Sequence, residues 1–337
     1  MSFVPHRRLR SGHLMTVYAW AKPRRFPRLP APVPRYFDVA SDARVLAHCY
    51  WQAKPRESTT LLCLHGLEGS STAHYMRGLA DKGFAAGFNV ILLNQRNCGG
   101  TEHLSAGLYS SALTADPRTV IDELRTLDGL PSVAVAGYSL GGNLALKLAG
   151  EYGAAAPREL LGVAAVSPVI DLAECVRALE RPSNRLYQWN FVRNLRSRMR
   201  RKDKAWPGCF PMERLPGVRS VRDFDEVFTA PHFGFSSAAD YYDRASALRV
   251  IDRITVPALI ISAKDDPFVP CGTFLDERVT ANPHITVELS DHGGHCAFVC
   301  DGVDGDAYWA ERRVIAFATA LRAASSPTRD QCPALRA

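Results

Sequence analysis

The sequence predicts one doubly wound α/β domain, with a mostly parallel central sheet, helices on both faces and a cap-like insertion. Three observations point there. Short apolar runs alternate with helix-prone segments, and the runs are almost continuously apolar, as strands covered on both faces must be. The strand rhythm stops between Asp171 and about Ala247 and then resumes, which marks the insertion. At 337 residues with no internal repeat, the chain suits one large domain, expected over 37–324.

Residues 1–36 read as a basic N-terminal segment packing on the core. Positions 1–35 carry eight Lys or Arg and no Asp or Glu. No continuous apolar run precedes the prolines there, so neither a secretory leader nor a membrane anchor is read. Strands are expected at Thr60 to Leu64, Asn89 to Leu93, Val133 to Ala136, Leu161 to Val166, Ala258 to Ile261 and Ile285 to Leu289. The insertion, about 171–247, is rich in aromatics, among them Tyr187, Trp189, Phe191, Phe224, Tyr241 and Tyr242. They could line a pocket or pack the insertion onto the core, and the sequence leaves both open. From Ser325 the chain turns polar and proline-containing, and a frayed tail is expected over 325–337.

The strand ending at Ala136 runs into Gly137-Tyr138-Ser139-Leu140-Gly141, and a helix-prone stretch follows from Asn143 to Gly150. The pentapeptide alone is common by chance, and its bland reading is a glycine-rich turn with a surface serine. Between a strand and a helix it becomes a turn that holds Ser139 exposed at a strained apex, with a helix N-terminus beneath it. A serine hydroxyl is a poor nucleophile at neutral pH, so this reading requires a base, an acid to orient the base and donors for an oxyanion.

Each can be nominated. The strand at Ala258 leads into Asp265-Asp266-Pro267, a carboxylate pair where such sheets place their sites. Pro267 biases its predecessor toward an extended conformation, which favours Asp266 as the acid, with Asp265 the alternative. The strand at Ile285 leads into His292-Gly293-Gly294-His295. His295 follows two glycines that permit close approach and precedes an apolar anchor, so it is the preferred base over His292. The oxyanion donors should be backbone N–H groups, those of Leu140 and, from the loop His65-Gly66-Leu67-Glu68-Gly69, Leu67. His65 reads as a structural residue of that loop.

With these residues in place, the chain resembles the YheT-like family of α/β-hydrolases, whose relatives include bacterial esterases and eukaryotic lipid hydrolases and acyltransferases. The resemblance runs roughly from Arg10 to Phe317. It rests on Ser11-Gly12-His13-Leu14-Met15-Thr16, the His65 and Ser139 loops, Asn94-Gln95-Arg96-Asn97-Cys98-Gly99-Gly100, Phe224-Asp225-Glu226, Asp265-Asp266-Pro267-Phe268 and Gly293-Gly294-His295. It implies the α/β-hydrolase fold and a catalytic triad of Ser139, Asp266 and His295. The implied activity is cleavage of carboxylic esters through an acyl-enzyme; acyl transfer to an alcohol and non-catalytic lipid binding on the same fold are the alternatives. Met15, Asn97, Gly99 and Ala297 depart from the family's usual residues. None is a triad position, so the departures bear on the pocket mouth and the substrate.

The net charge of +7 is unevenly spread, because 193–204 adds seven Lys or Arg against Asp203 alone. Clustering of this kind attracts anions, and peripheral contact with an anionic membrane is expected beside a small-molecule ester or lipid substrate. Nucleic acid is not, since no recognition motif accompanies the charge. The nine cysteines are dispersed and lack the paired spacing of a zinc or redox site, so neither metal nor cofactor is expected and a cytoplasmic location is read.

Overall fold

All six expected strands form in the computed structural model, which describes residues 2–303 and 306–325, and they make up the parallel part of one sheet. These are β3 (Thr60–Leu64), β4 (Asn89–Leu93), β5 (Val133–Tyr138), β6 (Leu160–Val166), β7 (Ala258–Ala263) and β8 (Ile285–Ser290). Every residue of β3, β4, β5 and β7 is buried, which is why their sequences run apolar without alternation. Two further strands were not anticipated, β1 (Val33–Ala40) and β2 (Ala43–Tyr50), an antiparallel hairpin whose second strand pairs antiparallel with β4. The eight-stranded sheet runs β1-β2-β4-β3-β5-β6-β7-β8, and all its pairs beyond β2 and β4 are parallel.

β1 begins inside the segment assigned to the basic N-terminal region. It tolerates Pro34 because it is an edge strand with one side of its ladder unpaired. Arg35 on β1 bonds Glu123 at 2.5 Å and also reaches Asp128, so that cation is spent internally.

Helices cover both faces. On one, α2 (His74–Ala85) and the C-terminal helix Trp309–Ser325 bury Met76, Leu79, Val314 and Ile315 against the sheet. On the other, α3 (Ala115–Thr126) and α4 (Leu140–Tyr152) bury Val120, Leu124, Leu144 and Leu148. An unanticipated helix, α1 (Gly12–Ala21), places Met15 and Ala19 against Ala297 and Val299. The N-terminal segment therefore packs beside the loop that carries His295.

Between β6 and β7 the chain is helical, with α5 (Leu172–Leu179) and the long α6 (Arg185–Ala205) leading to shorter helices that end at Ala245. Its aromatics divide between the two readings. Phe224, Phe228, Tyr241 and Tyr242 are buried packing residues, whereas Tyr187, Trp189 and Phe191 line a cavity. Of the tail expected to fray over 325–337, Ser325 ends the C-terminal helix and 326–337 lie outside the described residues. No helix among the described residues is long and apolar enough to cross a membrane.

Candidate functional site

Ser139 stands between the end of β5 and the start of α4 with φ 53° and ψ −116°, a conformation that costs a non-glycine residue about 1–3 kcal/mol. The flanking glycines make the turn possible. A Cβ on Gly137 would lie 2.1 Å from the Gly141 carbonyl oxygen, and one on Gly141 would lie 2.3 Å from that of Leu64. The Ser139 N–H donates to Val166 O at 2.9 Å and its carbonyl accepts from Asn143 at 3.0 Å, so backbone bonds hold the strained residue from both sides.

The turn after β3 approaches the serine closely, because a Cβ on Gly66 would sit 3.2 Å from that of Ser139. Within it the Gly66 N–H donates to Tyr75 Oη at 3.0 Å and the Glu68 N–H to Tyr109 Oη at 3.1 Å. Leu67, between them, has no bonded partner for its N–H among the described residues. Leu140 is the first residue of α4, where N–H groups have no intrahelical acceptor. His65 is fully buried and holds the loop: its Nδ1 lies 2.8 Å from Gly66 O and its Nε2 accepts the Gln95 N–H at 3.1 Å. Burial lowers its pKa to about 4, so it stays neutral.

Asp266 and His295 come together at the C-terminal edge of the sheet. The Asp266 side chain is wholly buried; Oδ1 accepts the N–H groups of Phe268 at 3.1 Å and Val269 at 3.0 Å. Oδ2 lies 2.9 Å from His295 Nδ1, which fixes the tautomer with Nδ1–H donating and leaves Nε2 as the free nitrogen. Burial alone would lower the His295 pKa; the Asp266 carboxylate, reinforced by Cys296, overrides it and raises the pKa above the ordinary value. The passed-over residues form a second pair, His292 Nδ1 to Asp265 Oδ2, at 3.3 Å and partly exposed.

Ser139, His295 and Leu67 all line one cavity of about 540 Å³, in the range of roughly 300–1,000 Å³ usual for small-ligand pockets. One wall comes from α1 and another from the first three turns of α6, so both terminal segment and insertion enclose the serine. Among the described residues no group of three or more His, Cys, Asp or Glu could hold a metal ion.

Sequence reasoning missed residues that position this site from a distance. Thr16 Oγ1 accepts the His295 N–H at 2.8 Å, and a Cβ on Gly12 would collide with Asp265 O at 1.8 Å. The quoted Ser11 to Thr16 block was the available signal, but it carries no local hint of a partner 279 positions away. Glu68, beside Leu67, is paired at 3.1 Å with Arg198 of α6, both nearly fully buried. Arg198 and Lys202 were expected among the anion-attracting charges, yet they are 3% and 0% exposed. Lys202 instead clamps Asn97 Oδ1 at 2.8 Å and the Glu102 carbonyl at 3.1 Å.

A family described as an alpha/beta hydrolase fold matches residues 59–300. The Escherichia coli (strain K12) protein named "Putative esterase YheT" is 30% identical over 317 residues, covering 93% of this chain and 91% of its own length. Phospholipase ABHD3 of Mus musculus is 31% identical over 242 residues, 71% of this chain but only 58% of its own length. Among solved structures, the Pyrococcus furiosus esterase Pf2001 superposes with a TM-score of 0.57 at 16% identity, over 89% of this chain and 96% of that one; this likeness speaks for the fold.

Proposed function

The chain belongs to the YheT-like family of α/β-hydrolases, and from that premise we propose that it is a serine hydrolase cleaving carboxylic esters through an acyl-enzyme. The observation that carries the reading is the buried Asp266–His295 pair opening on the same cavity as the strained Ser139.

In the proposed cycle Ser139 Oγ attacks the acyl carbonyl while His295 Nε2 takes its proton, and the carbonyl oxygen becomes an oxyanion facing the N–H groups of Leu67 and Leu140. Asp266 holds the ring and stabilises the imidazolium, consistent with the raised His295 pKa. Collapse expels the alcohol, which takes the proton from His295 and leaves Ser139 acylated. Water then gives its proton to His295 and attacks the acyl carbon, releasing the acid and restoring the serine. Fixed backbone dipoles suit this because they need no reorganisation as charge develops.

The cavity supports an acyl chain as the group bound, since Tyr187, Phe191, Leu186 and Phe268 supply apolar walls. The dispersed thiols, none of them disulfide-bonded among the described residues, support a cytoplasmic setting. Turnover of p-nitrophenyl esters of increasing chain length tests the proposal. Rates should rise from acetyl toward longer acyl chains and vanish in Ser139→Ala, while added alcohols show whether an acceptor other than water is preferred. Absence of turnover across the series in folded protein would remove the reading.

A further inference from the structure

Of ten large apolar side chains exposed among the described residues, five lie on α1 and α6, the helices that frame the cavity. On α1, Leu14 is 50%, Val17 48% and Trp20 70% exposed; on α6, Leu186 is 73% and Trp189 60% exposed. The spacings place each set on one helical face. The two helices touch at this end, with the His13 and Tyr187 rings stacked at 5.7 Å and His13 Nδ1 lying 3.3 Å from Tyr187 Oη. Val17, Trp20, Leu186 and Trp189 also line the cavity, so the apolar rim is continuous with the path to Ser139. Trp20 and Trp189 are exposed on the rim of one cavity, and an apolar patch rimmed by charge marks an interaction site.

The two helices and the segments that flank them carry charge of one sign. From Arg10 to Phe37 and from Arg181 to Lys202 the sequence contains no Asp or Glu. Exposed cations flank the rim: Arg10 before α1, Lys22 after it, Arg185 beside Leu186, and Arg193, whose guanidinium lies 5.2 Å from the Trp189 ring centre. The inward-turned cations of α6, Arg198 and Lys202, belong to the other end of the helix and take no part.

We propose that this rim is the surface on which the protein docks to an anionic phospholipid bilayer, with the cavity mouth facing the lipid. Tryptophan rings suit the headgroup level, where an apolar body meets a wet edge, and each cation near such a surface adds attraction to it. A second copy of the chain is the less favoured occupant, because a two-fold interface sets each patch against itself and would bring the same exposed cations together. The inference rests on the ester-hydrolase reading for its purpose: a lipid ester could pass from the bilayer into the cavity without its acyl chain crossing water.

The experiment measures partition of the full chain onto vesicles of phosphatidylcholine with phosphatidylglycerol, compared with phosphatidylcholine alone. Binding to the anionic vesicles should be at least tenfold stronger and should weaken as salt is raised, since screening acts over about 10 Å at moderate ionic strength. Tryptophan emission should shift to the blue and be quenched by brominated lipid, a readout on the unmodified protein. Trp20→Ser combined with Trp189→Ser should lower partition at least tenfold. Ser139→Ala should abolish ester turnover and leave partition unchanged, so each reading can fail without the other. Absence of vesicle binding, unchanged binding in the double variant, or a dimer that dissociates in the double variant would overturn the docking proposal.

Discussion

Asp265 with His292 and Asp266 with His295 are two aspartate–histidine pairs on the same two loops, made of identical residue types and built to different ends. In the second pair the carboxylate is wholly buried and holds the ring at 2.9 Å, with two backbone N–H groups on its other oxygen. In the first, the histidine side chain is 36% and the carboxylate 20% exposed, the separation is 3.3 Å, and Asp265 Oδ1 is occupied by the Gly294 N–H at 2.9 Å. Removing water strengthens the charge interaction and leaves the buried ring one orientation. The exposed pair is screened and acts as a brace, tying the Gly293-Gly294 turn to the strand end so that His295 is delivered to the cavity. Adjacent residues thus differ in setting, one carboxylate bracing the loop and the other holding the buried His295 ring.

The difference breaks most visibly under substitution. If the proposed triad operates, Asp266→Asn or His295→Gln should reduce kcat/KM for a small soluble ester by on the order of 10⁴, by the measure of serine hydrolases. A loss below about tenfold, in variants that melt like the parent, would place the two pairs on one footing.

A smaller effect concerns pH. In the proposed cycle His295 must be neutral to accept the serine proton, and its raised pKa keeps it charged above the ordinary value of 6.5. The acidic limb of kcat/KM should therefore lie above pH 6.5 and activity should still be climbing there. In Asp266→Asn the residual activity should show the limb displaced to lower pH, because burial then acts without its counter-charge. Stability follows the same linkage with its own sign. The folded pKa exceeds the unfolded one, so the pair's contribution is whole below the unfolded value and is lost as pH rises through the folded one. A limb that stays put in Asp266→Asn would show that the carboxylate does not set the charge of His295.

Least should follow from His292→Asn, where a partly exposed pair contributes about 0–1 kcal/mol. Turnover should change less than about tenfold and the pH limb should not move. A larger loss from His292→Asn than from His295→Gln would reverse the roles assigned to the two pairs.

The parallel strands were legible because burial on both faces writes itself as a continuous apolar run; β3 and β4 fall on the expected bounds. The elbow was legible because its glycines and serine fall in a fixed local order between a strand and a helix, and Gly137 is forced by the Gly141 carbonyl four residues on; the contact that forces Gly141, with Leu64 O of β3, was not. The β1–β2 hairpin was not, since Arg35 falls on the inward phase while Tyr36 and Leu46 fall on the outward one, which blurs its alternation. The bond from His295 to Thr16 joins opposite ends of the chain and leaves no local signature. Charge misled most along α6, where the sequence counts Arg193, Arg198 and Lys202 alike. Folding turns Lys202 onto buried carbonyls and Arg198 onto Glu68, leaving Arg193 outside over Trp189. Only tertiary packing distinguishes an arginine that meets solvent from one that ties α6 to the turn beside Leu67.

Covalent labelling of the folded chain with a fluorophosphonate probe, followed by mass spectrometry of the modified peptide, tests most directly whether Ser139 is a nucleophile activated by His295. The account predicts a single adduct on Ser139, strongly slowed in His295→Gln and nearly unaffected in His292→Asn. An adduct confined to another serine, or labelling of Ser139 that is as fast without His295, would contradict it.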